Sequence, residues 1–324
     1  MNKRDALIAL AALAATPFGG RAQQPGKVWR IGFLGLGSGP GEFIAAFRDE
    51  LRTLGYVEGS NVSIEFRWPA GREDRLTQMA AELVALKVDV IVTQAMQPVV
   101  VAKRATSTIP IVMTAPSDAV GGGLVASLAR PGGNVTGMTM LSIELAGKRL
   151  QLIREVVPKA TRVGVLVFKG GLPTPAYLEQ IRIAAKQMGV TPLVREENEA
   201  ASLPGAFAAL QRERAQALIV QQTPFFNENR QRIIELAAQF RLPAIFESRD
   251  IVNEGGLISY GSNIGAMYRR AAYYVDRIFK GAKPADLPVE QPTIFEMALN
   301  LKTAKALGLT IPQTVLLQAD EVIK

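Results

Sequence analysis

The chain has 324 residues, 48% of them hydrophobic and 6% aromatic, which is enough material for two domains with separate cores. Its formal net charge of +8 comes from basic residues scattered over helical faces, as at Lys148, Arg149, Arg154 and Lys159. It has none of the basic runs interleaved with aromatics that nucleic-acid binders use. Histidine and cysteine are both absent, which excludes Ser-His-Asp and Cys-His nucleophiles, most zinc sites and any disulfide framework.

The first residues have the pattern of an export signal. Lys3-Arg4 gives a positive start, Ala6 to Ala15 a short apolar run, and Gly20-Arg21-Ala22 a small-residue cleavage site, so a mature chain from Gln23 is expected. No stretch reaches the ~20 consecutive apolar residues of a membrane span.

From Val28 onward apolar runs alternate with amphipathic ones. Val28–Leu34 predicts a strand, Glu42–Leu54 a helix with Phe43, Ala46, Phe47, Leu51 and Leu54 on one stripe, and Asn61–Arg67 a second strand. A helix over Arg72–Leu86, a strand over Asp89–Val92, a helix over Pro98–Ala105 and a strand over Ile109–Thr114 follow. The segment Ser117–Gly137 reads as a ligand-facing loop. Gly121 to Gly123 allow a close turn, Leu124, Val125 and Leu128 suggest a short helix, and Pro131-Gly132-Gly133 stops it.

The second half repeats the alternation. Helices are expected over Glu144–Val156, Pro175–Met188, Leu203–Glu213, Glu228–Phe240 and Met267–Phe279. Strands are expected over Arg162–Phe168, Thr191–Arg195, Ala217–Gln221, Ala244–Phe246 and Gly256–Tyr260. Lys283–Pro292 is too proline-rich for either and reads as an extended connector. The fold class is therefore α/β: two Rossmann-like parallel-sheet lobes joined by a hinge of three crossings, near Thr139–Glu144, Gly255–Gly261 and Pro284–Pro292.

Nucleotide motifs fail in detail. There is no G-x-x-x-x-G-K-[ST] phosphate loop, and in Gly35–Gly41 the third glycine of a dinucleotide fingerprint falls on Pro40 or Glu42. Glu65, a conceivable ribose acceptor, is read as a solvated carboxylate at a strand end. Asp118 and Glu247 could form an acid–base pair, but nothing in the sequence brings them together.

Small-molecule binding survives these exclusions, because open α/β sheets hold ligands beyond the carboxyl ends of their strands. At those ends stand Ser38, Thr93, Gln94, Ser117 and Asp118 in the first half. Lys169, Thr223, Glu247 and Ser248 stand there in the second. Helix-start N–H groups suit a carboxylate, while Asp118, Glu247 or Gln94 suits an ammonium or hydroxyl. Phe168, Phe225, Phe226 and Tyr260 are candidate walls, with at least one of Phe225 and Phe226 expected in the core. The polar residues also have the character of helix caps. No catalytic residue, cofactor or metal site is expected.

Several longer stretches are specific. LGYVEGSNVSIEFRW from Leu54, AAELVALKVDVIV from Ala80, GLVASLARPGGNVTG from Gly123, GGLISYG from Gly255, YRRAAYYVDRIFKGAKPADLPVEQPT from Tyr268 and LNLKTAKALGLTIP from Leu299 span the mature chain. In them the chain resembles the ABC-transporter substrate-binding family that includes the tryptophan- and phenylalanine-binding periplasmic proteins, with the type I periplasmic-binding-protein fold. The resemblance implies residues 1–22 as signal, 23–140 plus 257–288 as lobe one, and 141–256 plus 289–324 as lobe two. It implies a monomeric periplasmic receptor that closes over a small ligand and delivers it to an inner-membrane ABC permease, without catalysis. Members commonly read Asp-Pro-Val where this chain has Asp118-Ala119-Val120, and often carry Asp near Thr223. An aromatic or branched carboxylic acid is therefore expected as readily as an amino acid. The rivals are a nucleotide-binding enzyme on the same scaffold and a ligand sensor without transport.

Overall fold

The computed structural model describes residues 27–324, so the expected export signal lies outside the described residues. The first lobe runs β1 (Trp29–Leu34), α1 (Phe43–Thr53), β2 (Val62–Arg67), α2 (Leu76–Ala85), β3 (Val90–Thr93), α3 (Met96–Ala105), β4 (Ile111–Met113) and β5 (Val135–Gly137). Its five strands are all parallel, in the order β2-β1-β3-β4-β5. β3 and β4 are buried throughout, as continuous apolar strands must be when helices cover both sheet faces.

The second lobe runs α4 (Ala146–Val156), β6 (Arg162–Phe168), α5 (Thr174–Met188), β7 (Thr191–Glu197), α6 (Leu203–Arg212), β8 (Ala217–Val220), α7 (Pro224–Glu228), α8 (Arg230–Gln239), β9 (Ala244–Phe246), α9 (Arg249–Asn253) and β10 (Ile258–Ser262). The chain then returns to the first lobe as α10 (Ile264–Phe279). It ends in the second with β11 (Phe295–Asn300), α11 (Leu301–Ala306), α12 (Gln313–Leu316) and β12 (Glu321–Ile323). The seven-stranded sheet has the order β12-β11-β10-β9-β8-β6-β7, and β10–β11 is its one antiparallel pair.

α10 explains why the first lobe needs a late segment. Ile264, Met267, Tyr268, Ala271, Ala272, Val275 and Phe279 form an apolar stripe at helical spacing, buried against α1 and the first sheet. Asn263 starts the helix by accepting the Ala266 N–H at 2.8 Å, and its amide donates to Glu296 of β11 at 2.9 Å.

Three sequence expectations need correction. Residues 257–262 do not belong to lobe one: β10 pairs with β9 and β11, so the second crossing falls at Asn263 rather than over Gly255–Gly261. Leu124, Val125 and Leu128 form no helix. The segment is a series of turns in which the Leu124 and Val125 N–H groups both reach Ala119 O, while their side chains enter the core. Three glycines make a helix too costly there, and a turn satisfies the same backbone. The expected Glu228–Phe240 helix begins at Arg230 as α8, and a separate short helix, α7, that the sequence did not suggest precedes it across Asn229.

The first and third crossings run side by side. Glu290 N–H donates to Gly137 O and Thr139 N–H donates to Glu290 O, both at 2.9 Å. The Glu290 carboxylate is held by both arms of Arg270 on α10, at 2.8 and 2.7 Å. Arg270 keeps the Glu290 carboxyl below the usual carboxylate range. A carboxyl depressed in the folded state stabilises above its unfolded value, and that contribution is lost as pH falls through its folded value. Glu290→Gln should therefore lower Tm at pH 7, with the gap to the parent closing toward pH 3. An equal gap at both pH values would show that the ion pair contributes nothing.

Candidate functional site: a cleft between the lobes

A cavity of about 760 Å³ lies between the carboxyl ends of the strands of both sheets. That volume is within the range typical of small-molecule sites. The first lobe contributes Ser38 from the loop after β1, Phe43 at the start of α1, Gln94 to Gln97 after β3, and Ser117 after β4. Tyr268 of α10 also faces it. The second lobe contributes Phe168 and Lys169 from the end of β6, Thr174 at the start of α5, and Gln221 to Phe225 from the turn between β8 and α7.

Six of the ten sequence-predicted residues thus share this wall: Ser38, Gln94, Ser117, Lys169, Thr223 and Phe225. Gln94 and Ser117 have side chains with no hydrogen bond among the described residues. Lys169, the only cationic side chain on the wall, forms no ion pair among them. Thr223 caps α7, its hydroxyl accepting the Phe226 N–H at 3.2 Å. Phe225 is half-buried and leans on Phe168, ring centroids 5.6 Å apart, whereas Phe226 is core.

Four predicted residues stand elsewhere. Thr93 is fully buried, its hydroxyl donating to Val112 O on the neighbouring strand. Asp118 turns back into its own loop and accepts the Gly121 N–H at 2.7 Å. Ser248 caps α9 and lines a separate cavity of about 250 Å³. Glu247 is enclosed by protein: Arg149 lies 2.8 Å away, Ser142 Oγ donates to it at 2.7 Å and Gln222 N–H at 3.0 Å. Burial pushes the Glu247 carboxyl up, while Arg149 and the two donors pull it back. Tyr260, a candidate wall, packs near Phe295 and is not on the cavity.

Sequence reasoning missed Phe43, Met96, Tyr268 and Glu228, all on the wall. It also missed Ala95, the residue before α3, which has φ 66° and ψ −179°. That conformation is almost confined to glycine and costs roughly 1–3 kcal/mol elsewhere. The strained turn puts the first N–H groups of α3, free of helical partners, beside the cavity. The Lys169 ammonium stands on the wall contributed by the other lobe, so one helix start and one ammonium face the space, with the Glu73 and Glu228 carboxylates also on its lining.

The profile of the family described as ABC transporter substrate binding protein matches residues 39–323. The chain belongs to that family. A curated relative, the tyrosine-binding protein of Clostridioides difficile, is 28% identical over 275 residues, covering 82% of this chain and 75% of its own. A Streptococcus pneumoniae ABC domain solved in complex with L-Trp superimposes with a TM-score of 0.82 at 26% identity, over 91% of this chain and 99% of that one. A conserved domain protein from Vibrio cholerae gives 0.84 at 27% identity, over 91% and 100%. The two sheets and the cleft are thus those of a substrate-binding protein with aromatic amino acid-binding relatives. No helix among the described residues is long and apolar enough to cross a membrane.

Proposed function

We propose that this substrate-binding protein is the extracytoplasmic receptor of an ABC importer. It closes over a small carboxylate-bearing ligand with an aromatic or branched side chain and presents it to a permease in the inner membrane. The observation that carries the ligand class is the pairing of Lys169 and the start of α3 with a wall of Phe43, Phe168, Phe225, Tyr268, Met96 and Met140. The cationic groups suit a carboxylate, and the apolar wall suits a ring or branched chain. The tyrosine- and tryptophan-binding relatives support the same class. Gln94, Ser117 and Thr223 would orient the ligand. Closure about the three crossings follows from a ligand that touches both lobes and so binds the closed form more tightly.

The test is a thermal-shift screen of residues 23–324 against L-tryptophan, L-tyrosine, branched amino acids, aromatic acids, sugars and nucleotides. A ligand at 1,000 times its dissociation constant should add about 4 kcal/mol of stability. Hits are expected among the amino or aromatic acids, and Lys169→Met should weaken them about tenfold or more by removing a charge-assisted contact. A response to nucleotides alone would overturn the reading.

A further inference from the structure

The cleft wall carries a polar seam between the lobes that the ligand reading leaves unused. Glu228 ends α7 in the second lobe, and its carboxylate reaches across to the loop after β1. The Ser38 N–H donates to Oε1 at 2.7 Å and the Ser38 hydroxyl donates to Oε2 at 3.2 Å. Gly37 makes room for this approach: a Cβ at that position would overlap Glu228 Oε1. Its φ of +117° is one that other residues rarely adopt.

Two further contacts follow the same line. Asn227 Nδ2 donates to Glu42 Oε1 at 3.5 Å, and Arg230 Nη2 lies 3.7 Å from Glu42 Oε2. Arg230 is itself braced within its own lobe by Glu254 at 2.8 Å. The seam therefore joins residues 37–42 of one lobe to residues 227–230 of the other. It does so by side chains and one loop N–H, in addition to the three covalent crossings.

We propose that Glu228 is a latch for the closed form, a positioning residue that holds the lobes together over the ligand. This rests on the closing-receptor reading but assigns Ser38 a different part from the ligand contact expected of it. One carboxylate takes both donors of one residue, and charge-assisted bonds of that kind are roughly twice as strong as neutral ones. Gly37, Ser38 and Glu228 line the cavity of about 760 Å³, so the latch bridges the lobes beside the ligand's space without filling it. A contact made only in the closed form raises affinity by enlarging the closed population and slowing escape.

Because the chain has no cysteine, paired labels can be placed cleanly with Val57→Cys in lobe one and Lys186→Cys in lobe two, both at exposed positions. Spin-label distance distributions would be recorded without ligand and with saturating L-tryptophan, for the parent, Glu228→Gln, Glu228→Ala and Ser38→Ala. Glu228→Ala is expected to lower the closed-to-open ratio about tenfold and to speed L-tryptophan release by a similar factor. Glu228→Gln should fall between, because its amide oxygen still accepts the Ser38 N–H. Ser38→Ala, which keeps its N–H, should likewise be partial. Coincident distance distributions for the parent and Glu228→Ala under both conditions would overturn the latch. So would a loss of L-tryptophan affinity with unchanged distances, which would make Glu228 a ligand contact. Failure of L-tryptophan to bind the parent would count against the ligand class alone, since the ligand-free comparison still decides the latch.

Discussion

Arg149→Met is expected to destabilise the protein by about 3–5 kcal/mol, because it strands a buried carboxylate. Arg149 and Glu247 side chains are each only 1% exposed. Besides the ion pair, Arg149 donates through Nε to Tyr260 O at 2.8 Å and through Nη1 to Ser142 O at 2.9 Å. The pair thus ties the first crossing and β10 to the cleft ends of β8 and β9. Without Arg149 the Glu247 carboxyl stays desolvated with no counter-charge and only the Ser142 and Gln222 donors, so it binds a proton more readily folded than unfolded. A raised folded value stabilises below the unfolded value and is lost as pH rises, so the Arg149→Met penalty should be larger at pH 8 than at pH 5. Urea unfolding at both pH values measures it. Arg149→Met combined with Glu247→Met should recover much of the loss, since apolar replacement of both partners removes the stranded charge. A single-variant penalty below about 1 kcal/mol at pH 8 would mean that water reaches Glu247.

Gly137→Ala is the second large expectation. Gly137 ends β5 where the chain leaves the first sheet, with φ +118°. A Cβ there would press into the Met113 backbone, 2.7 Å from its nitrogen and closer still to its oxygen. Backbone neighbours cannot swing aside as a flexible side chain can. Strain of about 1–3 kcal/mol adds to an overpacking cost of similar size, so a loss of roughly 3–5 kcal/mol is expected in denaturant unfolding. A loss under 1 kcal/mol would show that the strand end shifts freely.

The alternation of buried strands with striped helices was legible along the chain because each lobe's sheet is covered on both faces. β11 and β12 escaped notice for a physical reason. β11 interrupts its apolar residues with Glu296 and Asn300, and β12 is a three-residue edge strand only partly buried, so neither carries a long apolar run. Position at a strand end was enough to put Gln94, Ser117, Lys169 and Phe225 on the cavity wall. It was not enough for Glu247, whose partner Ser142 is 105 positions away. A carboxylate at a strand end looks the same in sequence whether it meets a ligand or a buried arginine. Ala95 was invisible for the opposite reason, since alanine advertises no strain. Phe43 reads as helix stripe and Tyr268 falls inside an expected helix, and the faces that build the lobe-one core also open onto the cavity.

The late return of α10 has a consequence for the order in which the molecule can assemble. Tyr268, Ala271 and Val275 complete the core around β1, β3 and β4, yet they emerge only after ten of the twelve strands. The second sheet in turn lacks two strands until β11 and β12 follow. A growing chain therefore cannot finish its amino-terminal half first, as domains strung in series do. Both halves stay incomplete until nearly the whole polypeptide is free, and they then mature together.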